Sequence, residues 1–156
     1  MRTDDNLSLE KLSLDHAAHE AYHRLSSLAA ERYARIHFSG HWPAVQGNEQ
    51  WVEEVWANYL SNAIKYGGDS PQVEIGATDL ANGYVKCWVK DSGGGLSSEQ
   101  QDRLFEQFVR FNPAVAEGHG LGLSIVQRIV YKLGGEVGYE KGMHGGSVFW
   151  FTLRSA

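Results

Sequence analysis

The chain has 156 residues, of which 42% are hydrophobic, and carries a formal net charge of −5 at neutral pH. This length and composition predict one domain with its own apolar core, and the acidic balance argues against nucleic-acid partners. The single cysteine, Cys87, excludes an intramolecular disulfide and favours a reducing compartment. No apolar run is long enough for a membrane span and no secretion signal is evident, so we expect a cytoplasmic domain without membrane contact.

The first half of the chain is predicted to be mainly helical. Apolar residues from Leu7 to about Tyr33 recur at helical spacing, which predicts one long amphipathic helix or two shorter ones. Residues 34–38 are typical of a short strand, and residues 39–47 of a loop. Asn48 is a good N-cap for a second helical region, which should end at Tyr66 because two glycines follow.

The second half mixes strand and helix patterns. Alternating apolar residues predict a hairpin over residues 72–90, and a short helix is expected over residues 97–107, followed by a loop that is a candidate lid. An apolar helical stripe at residues 125–133 and two strands, at residues 136–140 and 147–153, complete the pattern. Helices combined with mostly antiparallel strands predict an α+β fold, a two-layer α/β sandwich.

The predicted helix that ends at Tyr66 has an unusual polar face. Asn58, Asn62 and Lys65 or Tyr66 lie one turn apart along it. Asn is unfavourable inside helices because its amide competes for backbone hydrogen bonds, so two at this spacing suggest a bound ligand. For this helix considered alone, an exposed polar face is an equally good explanation.

Two glycine-rich motifs follow. Asp91–Gly95 places a carboxylate at a strand end, where it can accept a hydrogen bond from an exocyclic amine, although such a sequence is also an ordinary turn. Gly118–Gly122 precedes the apolar helix, so its backbone amides can face phosphates. The second motif is neither a dinucleotide fingerprint, because Leu123 replaces the third glycine, nor a P-loop, because no Gly-Lys-Ser/Thr follows.

In this order, the three motifs resemble those of the GHKL ATPase superfamily, and in particular the catalytic ATP-binding domain of bacterial sensor histidine kinases. The resemblance covers about residues 45–153. It comprises an N box at Asn58–Tyr66, a G1 box at Asp91–Gly95, an F box at Leu104–Arg110, a G2 box at Gly118–Gly122, and Gly145-Gly146-Ser147 near the end. The resemblance implies a fold of Bergerat type, with ATP between the N-box helix and a mobile lid at residues 108–119.

The resemblance also implies roles for individual residues. Asn62 matches the asparagine that holds Mg²⁺, and Lys65 matches a phosphate-contacting lysine. Asp91 matches the residue that recognises the adenine amine, and Arg110 either reaches the γ-phosphate or is an exposed loop residue. The predicted catalytic residues are Asn58, Asn62, Lys65 and Arg110. The predicted cofactor contacts are Asn58, Asn62, Lys65, Tyr66, Asp91, Gly93, Gly95, Leu96, Phe108, Gly118, His119, Gly120, Leu121, Gly122, Leu123 and Ser147.

Asn58 indicates which reaction to expect. In the hydrolysing relatives a glutamate at this position activates water, whereas an amide is no general base at neutral pH. The resemblance therefore implies phosphoryl transfer to a protein side chain and not fast hydrolysis. Glu54, one turn earlier, can reach the site in principle, but a solvated or orienting role is favoured.

The expected substrate domain is absent from the sequence. No His-Glu/Asp-x-x-x-Pro segment occurs, so the phosphoaccepting, dimerising helical domain is predicted to be a separate partner, with a response regulator as an indirect one. Residues 1–33 are predicted to form a helical segment, continuous with the domain or a linker from that partner, and residues 34–156 the catalytic domain, a monomer in isolation. Two alternatives stay open: a nucleotide-binding regulatory module, and a serine kinase of the anti-sigma-factor type.

Overall fold

The computed structural model describes residues 9–93, Glu99, residues 123–143 and residues 145–156. Seven strands and four helices occur in these ranges. In chain order they are β1 (Glu10–Leu12), α1 (Leu14–Arg24), α2 (Ser26–Glu31), β2 (Arg35–Phe38), β3 (Val45–Gly47), α3 (Glu49–Tyr66), β4 (Gln72–Asp79), β5 (Tyr84–Asp91), α4 (Leu123–Lys132), β6 (Val137–Lys141) and β7 (Ser147–Arg154). None of these helices is both long and apolar enough to cross a membrane.

Five of the strands form one sheet in the order β2-β4-β5-β7-β6. Strand β2 pairs with β4 in parallel, and the other three pairings are antiparallel. Alternate residues of the central strands are buried on the helical side, as the period of two in the sequence predicts. They are Val85, Cys87 and Val89 of β5 and Phe149, Phe151 and Leu153 of β7. The predicted α+β sandwich is confirmed.

Helix α3 packs against this sheet through aromatic side chains. Trp56 and Tyr59 are both fully buried, and their rings contact Phe151 and Phe149 at centroid distances of 5.0 and 5.4 Å. The Tyr59 hydroxyl donates to the Trp150 carbonyl oxygen at 2.9 Å. Because a buried tyrosine needs a hydrogen-bond partner, this contact also sets where the helix lies along the strand.

The N-terminal part contains two helices, one of the two arrangements predicted, but it begins with a strand that was not predicted. Residues Glu10–Leu12, in the region predicted to be helical, form a strand that pairs antiparallel with β3. Strand β3 itself lies in the segment that was predicted to be a loop. The helical region is two helices, since the backbone leaves helical geometry at Leu25. Strands β1 and β3 have three residues each, which is too short for an alternating apolar pattern to be visible in the sequence. They form because they pair with each other across a large sequence separation.

The remaining described elements follow the prediction closely. Asn48 is the N-cap of α3, and its side-chain oxygen accepts from the Trp51 N–H at 3.2 Å. The hairpin, the apolar helix and the last two strands begin and end within two residues of the predicted positions. Of the helix predicted over residues 97–107, only Glu99 is described, and it is helical. The predicted lid lies outside the described residues.

We expect Asn48→Ala to lower the free energy of unfolding by about 1 kcal/mol, because it removes the oxygen that satisfies a free N–H at the start of α3. Urea denaturation measures this difference. Asn48→Asp retains an oxygen acceptor and is the matched control, which should unfold close to the wild-type midpoint. Equal loss in both variants would show that the cap does not act through this hydrogen bond.

Asp91 is a buried acid at the end of β5, with 9% of its surface exposed. Burial raises the pKa of its carboxyl group, and the backbone N–H groups of Gly93 and Ser147 offset this only in part by stabilising the carboxylate. The Gly93 N–H donates to Asp91 Oδ1 at 2.9 Å. Since the folded-state pKa lies above the unfolded-state value, Asp91 contributes stability at low pH that is lost as the pH rises through its folded-state pKa.

This shift predicts how an Asp91→Asn variant responds to pH. The neutral amide does not ionise, so the free energy of unfolding of the variant, relative to wild type, should increase between about pH 4 and pH 7. Urea denaturation across this range measures the difference. Asp69→Asn, which removes a negative charge at an exposed position, is the control for the change in net charge. A relative stability of Asp91→Asn that falls with pH would contradict the raised pKa.

Candidate functional site

Helix α3 carries the first group of predicted site residues. Its apolar side faces the core, while Asn58 is half-buried, and Lys65 and Tyr66 are exposed at the end of the helix. Asn62 is only 5% exposed, so a polar amide is held at a position where the neighbouring Ala63 and Ile64 are fully buried. Burying an amide costs free energy that an apolar residue would not, which favours a functional reason for Asn62.

The amide of Asn58 is held by Glu54. Its Nδ2 atom donates to the Glu54 carbonyl oxygen at 2.9 Å and to Glu54 Oε2 at 3.2 Å. Both contacts follow from the spacing of four residues on a helix. The nitrogen of the Asn58 amide is therefore engaged within α3, and its oxygen is the group that can accept a hydrogen bond from another donor or bind a cation.

The end of α3 is held from outside the helix. Arg32, which follows α2, donates from Nη2 to the Lys65 carbonyl oxygen at 3.2 Å. This carbonyl is one of the last four of the helix, which have no partner within it. The Lys65 and Tyr66 side chains remain exposed, with 51% of Tyr66 accessible. A cation and an aromatic ring thus lie together at the helix end, where they can contact a nucleotide.

Asp91 lies next to the end of α3 because two glycines allow the close approach. A Cβ atom at Gly67 would lie 3.3 Å from the Asp91 Cβ atom and only 2.4 Å from the Ala63 carbonyl oxygen. A Cβ atom at Gly93 would lie 2.9 Å from the Gly67 Cα atom. The helix end and the loop after β5 therefore touch through their backbones, which joins the predicted N box to the predicted G1 box.

This contact between Gly67 and Gly93 was not expected from the sequence, where Gly67 was interpreted only as the end of a helix. The signal was present in the glycine pair after Tyr66, but a helix stop and a close packing contact require the same residue type. The structure shows that Gly67 also makes the close packing contact with Gly93. Any side chain at Gly67 would separate Asp91 from the polar face of α3.

Ser147 and Leu123 are the remaining predicted contacts that the structure describes. Ser147 is 4% exposed and pairs with Asp91 across β5 and β7, and its Oγ atom lies 3.3 Å from Tyr139 Oη. Leu123 is fully buried at the start of α4. Ser147 therefore supports the Asp91 carboxylate through its backbone, while Leu123 belongs to the apolar core beside the site.

Nine of the predicted site residues lie outside the described residues. Gly93 and Ser147 lie beside Asp91 at the end of β5, next to the end of α3 that carries Lys65 and Tyr66. Asn62 and Asn58 lie further back along α3, at one-turn intervals, with Asn58 near the middle of the helix. The predicted contacts outside the described ranges are Gly95, Leu96, Phe108, Arg110, Gly118, His119, Gly120, Leu121 and Gly122. Their roles, and the site assignment as a whole, stay predictions.

The described part of the site combines three chemical features. Asp91 offers a carboxylate beside the Gly67 and Gly93 backbones, and a carboxylate can accept a hydrogen bond from an amine on a flat ring. Asn62 offers an amide oxygen, a ligand that hard cations accept. Lys65 offers a positive charge at the solvent-facing end of the same helix, suited to phosphate. Together they fit a nucleotide with its metal ion.

Comparison with known proteins identifies the family. The model of the histidine kinase-, DNA gyrase B-, and HSP90-like ATPase family matches residues 47–156, which is more than half of the chain. This range contains α3, both glycine motifs and the last strand. The resemblance inferred from the sequence motifs is thereby confirmed.

Curated histidine kinases are similar over most of this chain. It is 33% identical over 145 residues to the methanogenesis regulatory histidine kinase FilI of Methanothrix harundinacea, which covers 92% of this chain and 16% of that protein. It is 37% identical over 117 residues to the sensor histidine kinase AruS of Pseudomonas aeruginosa, covering 71% of this chain and 12% of that protein. The chain thus spans less than a fifth of the length of these two relatives.

Solved structures show the same fold. Full-length ShkA in complex with AMPPNP superposes with a TM-score of 0.78 at 28% identity, over 96% of this chain and 32% of ShkA. The catalytic domain of the histidine kinase ThkA superposes with a TM-score of 0.78 at 23% identity, over 95% of this chain and 96% of that domain. With the family match, these similarities show that the chain belongs to the histidine kinase-, DNA gyrase B- and HSP90-like ATPase family, as a domain of the histidine kinase catalytic type.

Proposed function

We propose that this domain binds ATP together with Mg²⁺ and transfers the γ-phosphoryl group to a histidine on a separate dimerising helical domain. A response regulator then receives the phosphoryl group from that histidine. The observation that carries the proposal is the amide of Asn58, in contact with Glu54, one turn before the buried amide of Asn62. We further propose a cytoplasmic location for the domain, where ATP is available and the buried Cys87 thiol stays reduced.

The described residues fit an adenine nucleotide. Asp91 would accept a hydrogen bond from the exocyclic amine of adenine, and the close packing of the Gly67 and Gly93 backbones holds Asp91 beside the end of α3. Tyr66 is sufficiently exposed to pack against the base or ribose. Lys65 would contact phosphate from the helix end. The adenine specificity of the site is assigned to Asp91 because it is the acidic residue buried there.

The described residues also fit one metal ion in the nucleotide complex. Asn62 would hold Mg²⁺ through its side-chain oxygen, and phosphate and water oxygens would complete the coordination. When bound, ATP supplies the transferable phosphoryl group and Mg²⁺ neutralises the charge on its phosphates. The role of Asn62 is therefore to fix the position of the Mg²⁺ ion relative to α3.

The arrangement favours transfer over hydrolysis. Water becomes a nucleophile only if a base accepts its proton, and an amide at position 58 cannot do so near neutral pH. Lys65 would contact the phosphates and Asn62 the Mg²⁺ ion, and neither side chain takes up a proton from water. A histidine imidazole brings its own nucleophilic nitrogen, so it needs no base from this domain. Phosphoryl transfer to a histidine of the separate helical domain thus requires no general base from this domain.

We expect Asn62→Ala to lower the affinity for a non-hydrolysable ATP analogue by about 10- to 100-fold in the presence of Mg²⁺, because it removes a metal ligand, and much less in its absence. Asp91→Ala should lower the affinity for the ATP analogue by a similar factor and remove the preference for adenine over guanine nucleotides. Isothermal titration calorimetry measures both effects. Asp69→Ala, at an exposed position, is the control and should bind as wild type. Unchanged affinity in both site variants would overturn the site assignment.

The transfer reaction is tested with the cognate helical domain and radiolabelled ATP. We expect the label on the helical domain to be lost in acid and retained in base, because phosphohistidine is labile to acid. The control replaces the acceptor histidine by glutamine and should take up no label. An acid-stable phosphate would indicate a serine kinase, and bound ATP without any labelled product would indicate a regulatory module; either result would overturn histidine transfer.

A further inference from the structure

A short chain of polar contacts connects helix α1 to the Asn58 amide. Asn58 Nδ2 lies 3.2 Å from Glu54 Oε2, and the other carboxylate oxygen, Glu54 Oε1, accepts from Arg24 Nη1 at 3.2 Å. The same Arg24 nitrogen donates to Glu53 Oε2 at 3.3 Å. Glu54 therefore contacts Arg24 on one side and Asn58 on the other, whereas Glu53 contacts Arg24 without contacting Asn58 in the described structure.

The backbone of Arg24 is held in place by the packing of helix α1. Arg24 is the last residue of α1, and this helix buries Leu14, Ala17 and Ala21 completely or nearly so. Helix α1 packs directly against α3. Small residues at this contact bring the two helices close together, so Arg24 can span the gap between them with a single side chain.

The Arg24 contacts are too exposed to serve mainly for stability. The side chains of Arg24 and Glu54 are 46% and 43% exposed, and ion pairs of this kind contribute little to the free energy of folding. The same contacts have a larger effect on the orientation of the Glu54 carboxylate and the Asn58 amide. A carboxylate that accepts on both oxygens loses rotational freedom, and so does the amide that donates to it.

We propose that Glu54 is a positioning residue that fixes the orientation of the Asn58 amide, and that Arg24 fixes Glu54, so that α1 sets the polar face of the nucleotide site. This inference rests on the proposed function. With its nitrogen on Glu54, the Asn58 amide keeps its oxygen for the face that it shares with Asn62. Without the Glu54 carboxylate, the backbone carbonyl of residue 54 is the one contact that still holds the amide nitrogen, so the amide rotates more readily and can direct N–H donors towards the site of a cation.

Glu54 could instead be a general base that activates water from one turn further back. The two roles require different chemistry at the carboxylate. A base must take up a proton, while a positioning residue only has to accept the Asn58 hydrogen bond, which a glutamine oxygen can also do. Glu54→Gln thus distinguishes the two roles, because it preserves the acceptor and removes the base.

The orientation itself can be measured without nucleotide. In NMR spectra of the ¹⁵N-labelled domain, we expect the Asn58 side-chain amide protons to exchange with water about 2- to 12-fold faster in Glu54→Ala than in wild type, the factor expected for the loss of one hydrogen bond. Glu53→Ala removes a neighbouring carboxylate that also contacts Arg24, and it is the matched control, with exchange as in wild type. Equal exchange rates in Glu54→Ala and Glu53→Ala would overturn the inference.

The consequence for the site is measured by calorimetry. Glu54→Ala should weaken binding of the ATP analogue by about 2- to 12-fold with Mg²⁺ and leave binding without Mg²⁺ unchanged. Glu54→Gln should restore most of this affinity, and Arg24→Met should cause a smaller loss than Glu54→Ala. All variants should unfold at the wild-type urea midpoint, which separates positioning from a structural role.

Two results would overturn this inference while leaving the proposed function intact. One is wild-type Mg²⁺-dependent affinity in Glu54→Ala. The other is a loss of affinity in Glu54→Gln as large as that in Glu54→Ala; if the wild type also hydrolyses ATP and Glu54→Gln does not, Glu54 is assigned as a base. Failure of the wild-type domain to bind the analogue at all would overturn the proposed function and, with it, the role of Glu54 in the site.

Discussion

The contact between two aromatic residues of α3 and strand β7 determines the arrangement of the rest of the site. Trp56 and Tyr59 pack on Phe151 and Phe149, and burial of side chains of this size stabilises the fold by roughly 2–3 kcal/mol each. With these two rings on the sheet, the rotation of α3 about its own axis is set. Asn58 is then half-buried, and one turn later Asn62 is buried.

The site is the place where the chain departs from the most stable choice of residues. In the described ranges, three polar or charged residues are buried, namely Asn62, Asp91 and Ser147, and all three belong to the predicted site. The raised pKa of Asp91 shows the cost directly, since burial disfavours its charged form. Apolar residues would pack at these positions without this cost. Retaining polar groups there is expected of a site that must present charge and hydrogen-bonding groups to a ligand.

The N-terminal region contributes to the same core as the residues matched by the family model. Strand β1 pairs with β3 directly before α3, and the small buried residues of α1 pack against α3 itself. The contacts from Arg24 to Glu54 and from Arg32 to Lys65 both end on α3, eleven residues apart along the helix. The residues assigned to the nucleotide are therefore held in part by contacts from α1 and from the residue that follows α2.

The sequence by itself determined the family, the limits of α3 with its Asn48 cap, the central hairpin and the spacing of Asn58 and Asn62, because each depends on local periodicity or on short motifs. It did not determine β1 and β3, whose three residues pair only across a long separation. The helical spacing of four residues allows the contact between Glu54 and Asn58. The tertiary structure alone decided that Arg24 meets Glu54 and that the Gly67 and Gly93 backbones lie beside Asp91. These last contacts join residues that are distant in sequence, and they arise only when the packing of α1, α3 and β5 brings those residues within hydrogen-bond or van der Waals distance.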